Sequence, residues 1–461
     1  MEDQKWEMLL TDRVSTEQFK LLYELSRSQP ERIVSWMTAY MERVPEGSVL
    51  LDAAYSLLPA GDWPLVIEAA IGCLRAVGEH EAAASAIAYA SLQCPQLLSP
   101  YIRELFRLRP NANAYYSHWY CRGAGEEHIA EWTELAQRTN AVDPEELEYT
   151  VWALLETRQE HAIGVAVDGL ERLQAAHQGT GRRYEADEWL ATIGYCRREG
   201  KLSKLYADTA YHLAWPVEAW RSDVPVWLAK ENHPTWYAGS SAAAGSSAAV
   251  KEAGESKATA CLTGGGAGEE SDCLAEAVRQ VPSGGHSEAA CPICGGRIHR
   301  LFTLDPIPAG LPVTGMPRLT LSVCLTCLGW EEGELFYRHD EQGEPHPCPT
   351  EAEPHEPQFP APALLETSVK LIPAPARWRT QDWALSNGRE NLCRVGGMPC
   401  WIQDAQYPSC PECHETMAFI AQLDSDLPLA DGQEWMWGSG GIGYLFWCDC
   451  CKVSGHLWQC T

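Results

Sequence analysis

The sequence predicts a multidomain α + β chain with three parts. Residues 1–237 read as a helical domain built as a solenoid-like array of helical hairpins, 238–290 as a disordered linker, and 291–461 as a β-rich domain. Three observations predict it. Apolar residues recur at helical spacing through the first half, a Gly/Ser/Ala-rich stretch interrupts the middle, and paired cysteines between short alternating segments fill the last part. At 461 residues the chain also exceeds what one hydrophobic core usually supports.

In the N-terminal domain, Ser15 followed by Gln18 matches a capping box, and Pro30 sits where a first helical turn would accept it. Ile33, Trp36, Met37, Tyr40, Met41 and Val44 then fall on one helical face, which must pack on a neighbour. Similar starts recur at Asp62-Trp63-Pro64, Ser99-Pro100 and Asp143-Pro144, each with a capping side chain at or near a helix-opening proline. The prolines at 30, 64, 100 and 144 lie 34, 36 and 44 residues apart, about the length of a helix pair. No side-chain signature repeats strictly, so a closed helical bundle is the competing architecture. Trp63, Trp119, Trp132, Trp152, Trp189 and Trp215 sit among apolar residues and read as core.

The linker carries Ser240 to Ser247 and Gly264 to Gly268, with too little apolar area to offset the entropy of ordering. Cys261 and Cys273 within it have no paired neighbour.

From Cys291 the pattern changes. Leu319-Thr320-Leu321-Ser322-Val323 alternates as a strand, with Glu334 to Arg338 as its expected return strand after Gly333. The acidic, Pro-rich passage from His339 to Pro375 reads as loop. Cys291-Pro292-Ile293-Cys294 and Cys324-Leu325-Thr326-Cys327 form one constellation, and Cys410-Pro411-Glu412-Cys413 with Cys448-Asp449-Cys450-Cys451 another. A thiolate pair two residues apart fills two corners of a tetrahedron, and a second pair fills the others. The expectation is two structural zinc ions in zinc ribbons, held by Cys291, Cys294, Cys324 and Cys327 and by Cys410, Cys413, Cys448 and Cys451. Cys450 could replace Cys448 or Cys451.

Other chemistries fit less well. A redox Cys-x-x-Cys needs a strand feeding a helix, whereas Gly295-Gly296 after the first pair reads as a turn. A catalytic zinc keeps one position open for water, and four thiolates close it. His286-Ser287-Glu288 lies too close to Cys291 for a deaminase arrangement, and no proline precedes Cys291 or Cys410. His339, His346, Cys348 and His355 form a loose cluster in what reads as loop. Gly438, Gly440 and Gly443 precede a strand, the reverse of the phosphate-cradling order.

The net charge is −28, of which residues 1–237 hold −13 and the remainder −15. Such a field repels phosphate backbones and favours a basic partner or simple solubility. Nucleic acid is not an expected partner, since no lysine or arginine cluster stands out. The first residues lack a signal-peptide profile, and no apolar run approaches the roughly 20 residues needed to cross a bilayer. A cytoplasmic, reducing compartment and no membrane partner are therefore expected.

Val395-Gly396-Gly397-Met398-Pro399-Cys400-Trp401, then Cys410-x-x-Cys413, Met417 to Leu423 and Tyr444-Leu445-Phe446-Trp447-Cys448 together resemble the core of the programmed cell death protein 2 family and its bacterial YwqG-like relatives of unknown function. That resemblance covers about residues 390–461 and implies either escort of a basic ribosomal protein or a toxin-immunity or accessory role. The combined expectation is a non-enzymatic, zinc-stabilised protein-binding module holding a basic protein client. A zinc-dependent hydrolase or transferase with an interdomain site is the alternative.

Overall fold

A computed structural model describes residues 2–11, 14–110, 118–138, 143–177, 183–216, 279–328, 333–357, 359–374, 381–383 and 391–461. The chain divides into two compact units. One is formed chiefly by Met1–Lys204, the other by Leu205–Pro375, Glu390–Gln403 and Tyr407–Thr461.

The first unit is helical, as the periodicity requires. The Gln18 side chain accepts from the Ser15 backbone N–H at 2.8 Å, opening the helix Thr16–Ser28. Pro30 begins a short 3-10 turn that leads into Ile33–Arg43, whose buried face is Ile33, Trp36, Met37, Tyr40 and Met41. The helix Trp63–Val77 buries Trp63, Val66, Ile67 and Ala70, and the Asp143 carboxylate caps Pro144–Glu156 by accepting from Glu145 N–H at 3.1 Å. Helices pack mainly on their sequence neighbours, Trp63–Val77 on Glu81–Gln93 and Pro144–Glu156 on Glu160–Ala176. Tyr55 stacks on Trp63 and Trp152 on Trp189 at 4.2 Å, so these aromatics serve packing. One buried ion pair, Arg122 to Glu156 at 3.0 Å, crosses between segments, and Arg158 approaches the same carboxylate at 3.6 Å. Among the described residues no helix is long and apolar enough to cross a membrane.

The helical region ends earlier than expected. β1 (Tyr195–Arg198) and β2 (Lys201–Lys204) form a hairpin, and β3 (Ala207–Ala214) already belongs to the second unit. The expected linker is also only partly a linker candidate. Its end is β4 (Arg279–Ala290), a twelve-residue strand, while 217–278, including Cys261 and Cys273, lie outside the described residues.

The remaining strands are β5 (Arg297–Leu304), β6 (Leu319–Val323), β7 (Leu335–His339), β8 (Pro345–Pro347), β9 (Leu364–Pro373), β10 (Arg394–Gly397), β11 (Ala418–Asp424), β12 (Leu427–Pro428), β13 (Glu434–Trp435), β14 (Ile442–Cys448) and β15 (Val453–Gln459). Eleven strands make one sheet in the order β6-β5-β4-β9-β3-β10-β11-β14-β15-β7-β8, and every pair in it is antiparallel. Its ends approach one another. Thr320 N–H donates to Gly343 C=O at 3.0 Å and Cys324 N–H to the Tyr337 hydroxyl at 2.9 Å, so the sheet is a nearly closed barrel. Leu213, Val281, Phe302, Leu321, Val369, Val395, Leu445 and Trp447 fill one continuous core.

Two expectations are corrected here. The passage from His339 to Pro375 holds β8 and the central strand β9, and β7 does not return along β6 but pairs with β15. The cysteine pairs therefore decorate the turns of one nearly closed barrel, and the strands do not establish the expected zinc ribbons.

The barrel repeats itself. Phe302 faces Leu321 as Ala421 faces Leu445, and each pairing follows a bulge, at Arg300/Phe302 and Phe419/Ala421, at the same distance beyond Cys291 and Cys410. Upstream, Ser283 faces Phe302 as Val395 faces Ala421. Each is followed by a glycine pair with positive φ, Gly284-Gly285 at 83° and 74° and Gly396-Gly397 at 71° and 70°. The first strands of the two halves are exchanged, since β3 pairs with β10 and β9 with β4.

Candidate metal centres

Each centre starts from a turn that its own sequence dictates. Cys291 N–H donates to Gly296 C=O at 2.8 Å, and Gly295 N–H returns to Cys291 C=O at 2.9 Å. Cys410 and His414 make the same pair of bonds, Cys410 N–H to Glu415 C=O and His414 N–H to Cys410 C=O, both at 2.9 Å. Gly295 and His414 share the left-handed conformation, φ 70° and 61°, which the turn requires. The second cysteine pair of each centre sits just after β6, at Cys324 and Cys327, or on the β14–β15 turn, at Cys448 and Cys451.

The strands bring these turns together in pairs. The Sγ atoms of Cys291, Cys294, Cys324 and Cys327 all lie within 4.8 Å of one another, and so do those of Cys410, Cys413, Cys448 and Cys451. Cys291 to Cys327 is 3.7 Å, Cys294 to Cys324 3.6 Å and Cys413 to Cys448 3.6 Å. A tetrahedral ion with metal–sulfur bonds of about 2.3 Å separates its sulfurs by about 3.8 Å, whereas a disulfide needs about 2.05 Å. The cysteines are free thiols held at the spacing of a shared ion. Cys450 is exposed and is not one of the four.

The electrostatics fit the same reading. Hydrogen bonds from Cys324 and Cys327 hold the Cys291 thiol far below its usual range, at about 2, and the same contacts push Cys324 up to about 12 and raise Cys327 as well. In the second centre, a backbone N–H at Glu415 lowers Cys413, while burial raises Cys448 to about 12 and raises Cys451. With sulfur alone, lowering one thiol of a cluster comes with raising others beside it. A divalent cation removes that mutual penalty and lets all four ionise.

Residues outside the tetrads fix the turns. His299 Nδ1 accepts from Leu325 N–H at 3.2 Å while its Nε2 meets Ala361 C=O at 3.2 Å, and the Thr326 hydroxyl accepts from Ala361 N–H at 3.0 Å. His355 N–H donates to Ile293 C=O at 2.9 Å. At the second centre Asp449 accepts from Thr314 N–H at 2.8 Å, from the Thr314 hydroxyl, from Trp447 Nε1 at 3.0 Å and from Lys452 Nζ at 2.8 Å. Burial works against the Asp449 anion, but these donors hold its carboxyl down at about 2. Arg338 on β7 pairs with Glu412 inside the Cys410–Cys413 turn. Sequence reasoning missed these clamps, because all but the Trp447 and Lys452 contacts to Asp449 join segments distant in the chain and no local pattern marks them.

The looser histidine cluster is not assembled. His339 is buried against Ser454 at 2.9 Å, His346 pairs with Asp340 at 3.4 Å on the surface, and the described residues contain no third group of metal-ligating side chains. His286 packs on the ring of His299 at 4.9 Å, away from any deaminase geometry. The Gly438 to Gly441 stretch is a turn ahead of β14, as its order implied, and Gly443 lies directly beneath Trp437.

No family model matches this chain, and no solved structure matches it. Among curated proteins the uncharacterized protein YpfL of Salmonella typhimurium (strain LT2) is 28% identical over 185 residues, 37% of this chain and 39% of that protein. The chain thus spans about two fifths of the length of the curated relative it matches. The resemblance to the programmed cell death protein 2 and YwqG-like families accordingly rests on the quoted motifs alone.

Proposed function

We propose that the chain is a non-enzymatic protein-binding module whose barrel is held by two structural zinc ions. One observation carries this reading: eight cysteine sulfurs gather as two closed sets of four, at the spacing of a tetrahedral ion. Cysteine sulfur as the sole donor favours zinc over harder cations, and a closed shell leaves no position for an activated water. Thiolates in this role require a reducing compartment, which supports a cytoplasmic setting. A net charge of −28, made more negative by two four-thiolate centres, supports a basic protein as the client, and a helical unit of sequentially packed hairpins offers it a surface.

The test is capture from lysate by the zinc-loaded full chain at low salt, with elution by rising salt. Basic proteins eluting in a narrow salt window support the reading. Recovery of acidic proteins only, or retention of nucleic acid in their place, contradicts it.

A further inference from the structure

The two centres repeat one backbone geometry, so the places where they differ are informative. The third residue of the second turn is Thr326 in the first centre and Cys450 in the second. Thr326 is buried beneath Ala361, which donates to its hydroxyl at 3.0 Å, and His355 closes the other turn through Ile293. His355 and Ala361 thus brace both turns of the first tetrad, where Cys291, Cys324 and Cys327 are buried and Cys294 is half-exposed. In the second tetrad Cys413 and Cys451 are half-exposed, and Cys450 is exposed on the same turn.

We propose that the second tetrad, with Cys450, is a centre that responds to hydrogen peroxide and small hydroperoxides, while the first is inert to them. This rests on the reading above that each tetrad holds an ion. A peroxide must reach the sulfur it oxidises, which Cys450 allows by its exposure, and a second thiol on the same turn resolves the product. The Cys450 thiolate attacks one peroxide oxygen and the O–O bond breaks. The other oxygen leaves as hydroxide, takes a proton and becomes water, and Cys450 is left as a sulfenic acid. A thiolate of the tetrad, Cys413 or Cys451 being the accessible ones, then attacks that sulfur. The S–S bond forms, the S–O bond breaks, and the departing hydroxide takes a proton from solvent and leaves as a second water. Two sulfurs have given up the two electrons that reduced one peroxide. A tetrad left with three donors holds its ion more weakly and yields it to a competing chelator, and the β14–β15 turn loses part of its anchor.

The experiment uses the zinc-loaded full chain, its metal content measured first, then hydrogen peroxide in the presence of a chromophoric chelator. One ion should leave at a rate proportional to peroxide, and the other at least about tenfold more slowly. Cys450→Ser should still bind two ions but release the first at least about tenfold more slowly than the parent. Mass spectrometry should find Cys450 disulfide-bonded to a cysteine of the second tetrad. Equal release of both ions, or a Cys450→Ser chain that releases as fast as the parent, overturns the proposal and leaves the structural ions standing. A chain that binds no ion at all overturns the reading beneath it as well.

Discussion

Thr314 and Asp449 lie far apart in the chain, yet the Thr314 N–H donates to the Asp449 carboxylate at 2.8 Å and the Thr314 hydroxyl donates to its other oxygen. Asp449 follows Cys448 directly, so the loop between β5 and β6 fixes the turn that carries half of the second tetrad. Second-layer partners of this kind orient ligands before an ion arrives. Asp449→Ala should therefore weaken metal binding at one centre by about 10- to 100-fold and leave the other unchanged. Competition with a chelator of known affinity reads both sites at once, and equal weakening of the two would count against the clamp.

His339, Ser454 and His456 give the barrel an acid limit. The Ser454 hydroxyl lies 2.9 Å from His339 Nε2 and 3.1 Å from His456 Nε2, and all three residues are buried. Burial holds the His339 imidazole down at about 4 and that of His456 at about 3, the latter lowered further by His339. Both are below the unfolded value of about 6.5, so the unfolded chain takes up protons first as pH falls. Stability is intact above about pH 6.5 and is lost progressively as pH drops toward the folded values, by about 2 kcal/mol per imidazole at pH 5. Denaturant melts at pH 7 and pH 5 should show this loss together with that of the other depressed barrel imidazoles, His212 and His299, and His456→Leu should remove about 2 kcal/mol of the total. Acid protonation of the cysteine centres is common to both chains and cancels in the comparison.

Two glycines with the same φ separate backbone strain from collision. Gly295, at φ 70°, has open space where a Cβ would stand, and Gly396, at φ 71°, would drive one into the carbonyl oxygen of Thr209 on β3. Gly295→Ala should cost about 1–2 kcal/mol, the left-handed penalty alone. Gly396→Ala adds an overlap with backbone that cannot swing aside, typically a further 1–3 kcal/mol. Urea titration of the two variants ranks them, and a reversed order would remove the close approach of β10 and β3 from the account.

In the helical unit, Arg122→Ala strands the buried Glu156 carboxylate beside a more distant Arg158. Removing one partner of such a buried pair costs about 3–5 kcal/mol, and the remaining Arg158 places this case at the lower end. Arg122→Ala with Glu156→Gln should recover part of the loss. Helix melting followed by circular dichroism measures both.

What was legible in the sequence was what short segments decide for themselves. The face Ile33–Trp36–Met37–Tyr40–Met41 and the proline-led helix starts follow from spacing and capping, and the four cysteine pairs from the two-residue gap within each. What could not be read depends on partners far away. β4 contains Ser283-Gly284-Gly285, which reads as tether until β5 and β9 pair with it on either side. β9 lies in a proline-rich stretch and has Leu371 and Ile372 buried side by side near its end, and only its place between β4 and β3 makes it central. The Ala-bearing segment Ala207–Ala214 passes for helix by composition and becomes β3 because β9 and β10 flank it. The repeat of cysteine constellations was visible, but the exchange of first strands between the halves was not, since no residue pattern records which strand a strand will pair with.

Metal content before and after chelation tests the central claim most directly. Two zinc ions per chain are expected, and stripping both should collapse the barrel, seen as loss of β-sheet circular dichroism and a shift of tryptophan emission, while the helical signal persists. A chain purified without bound metal, or one that keeps its sheet intact after both ions are removed, would contradict it.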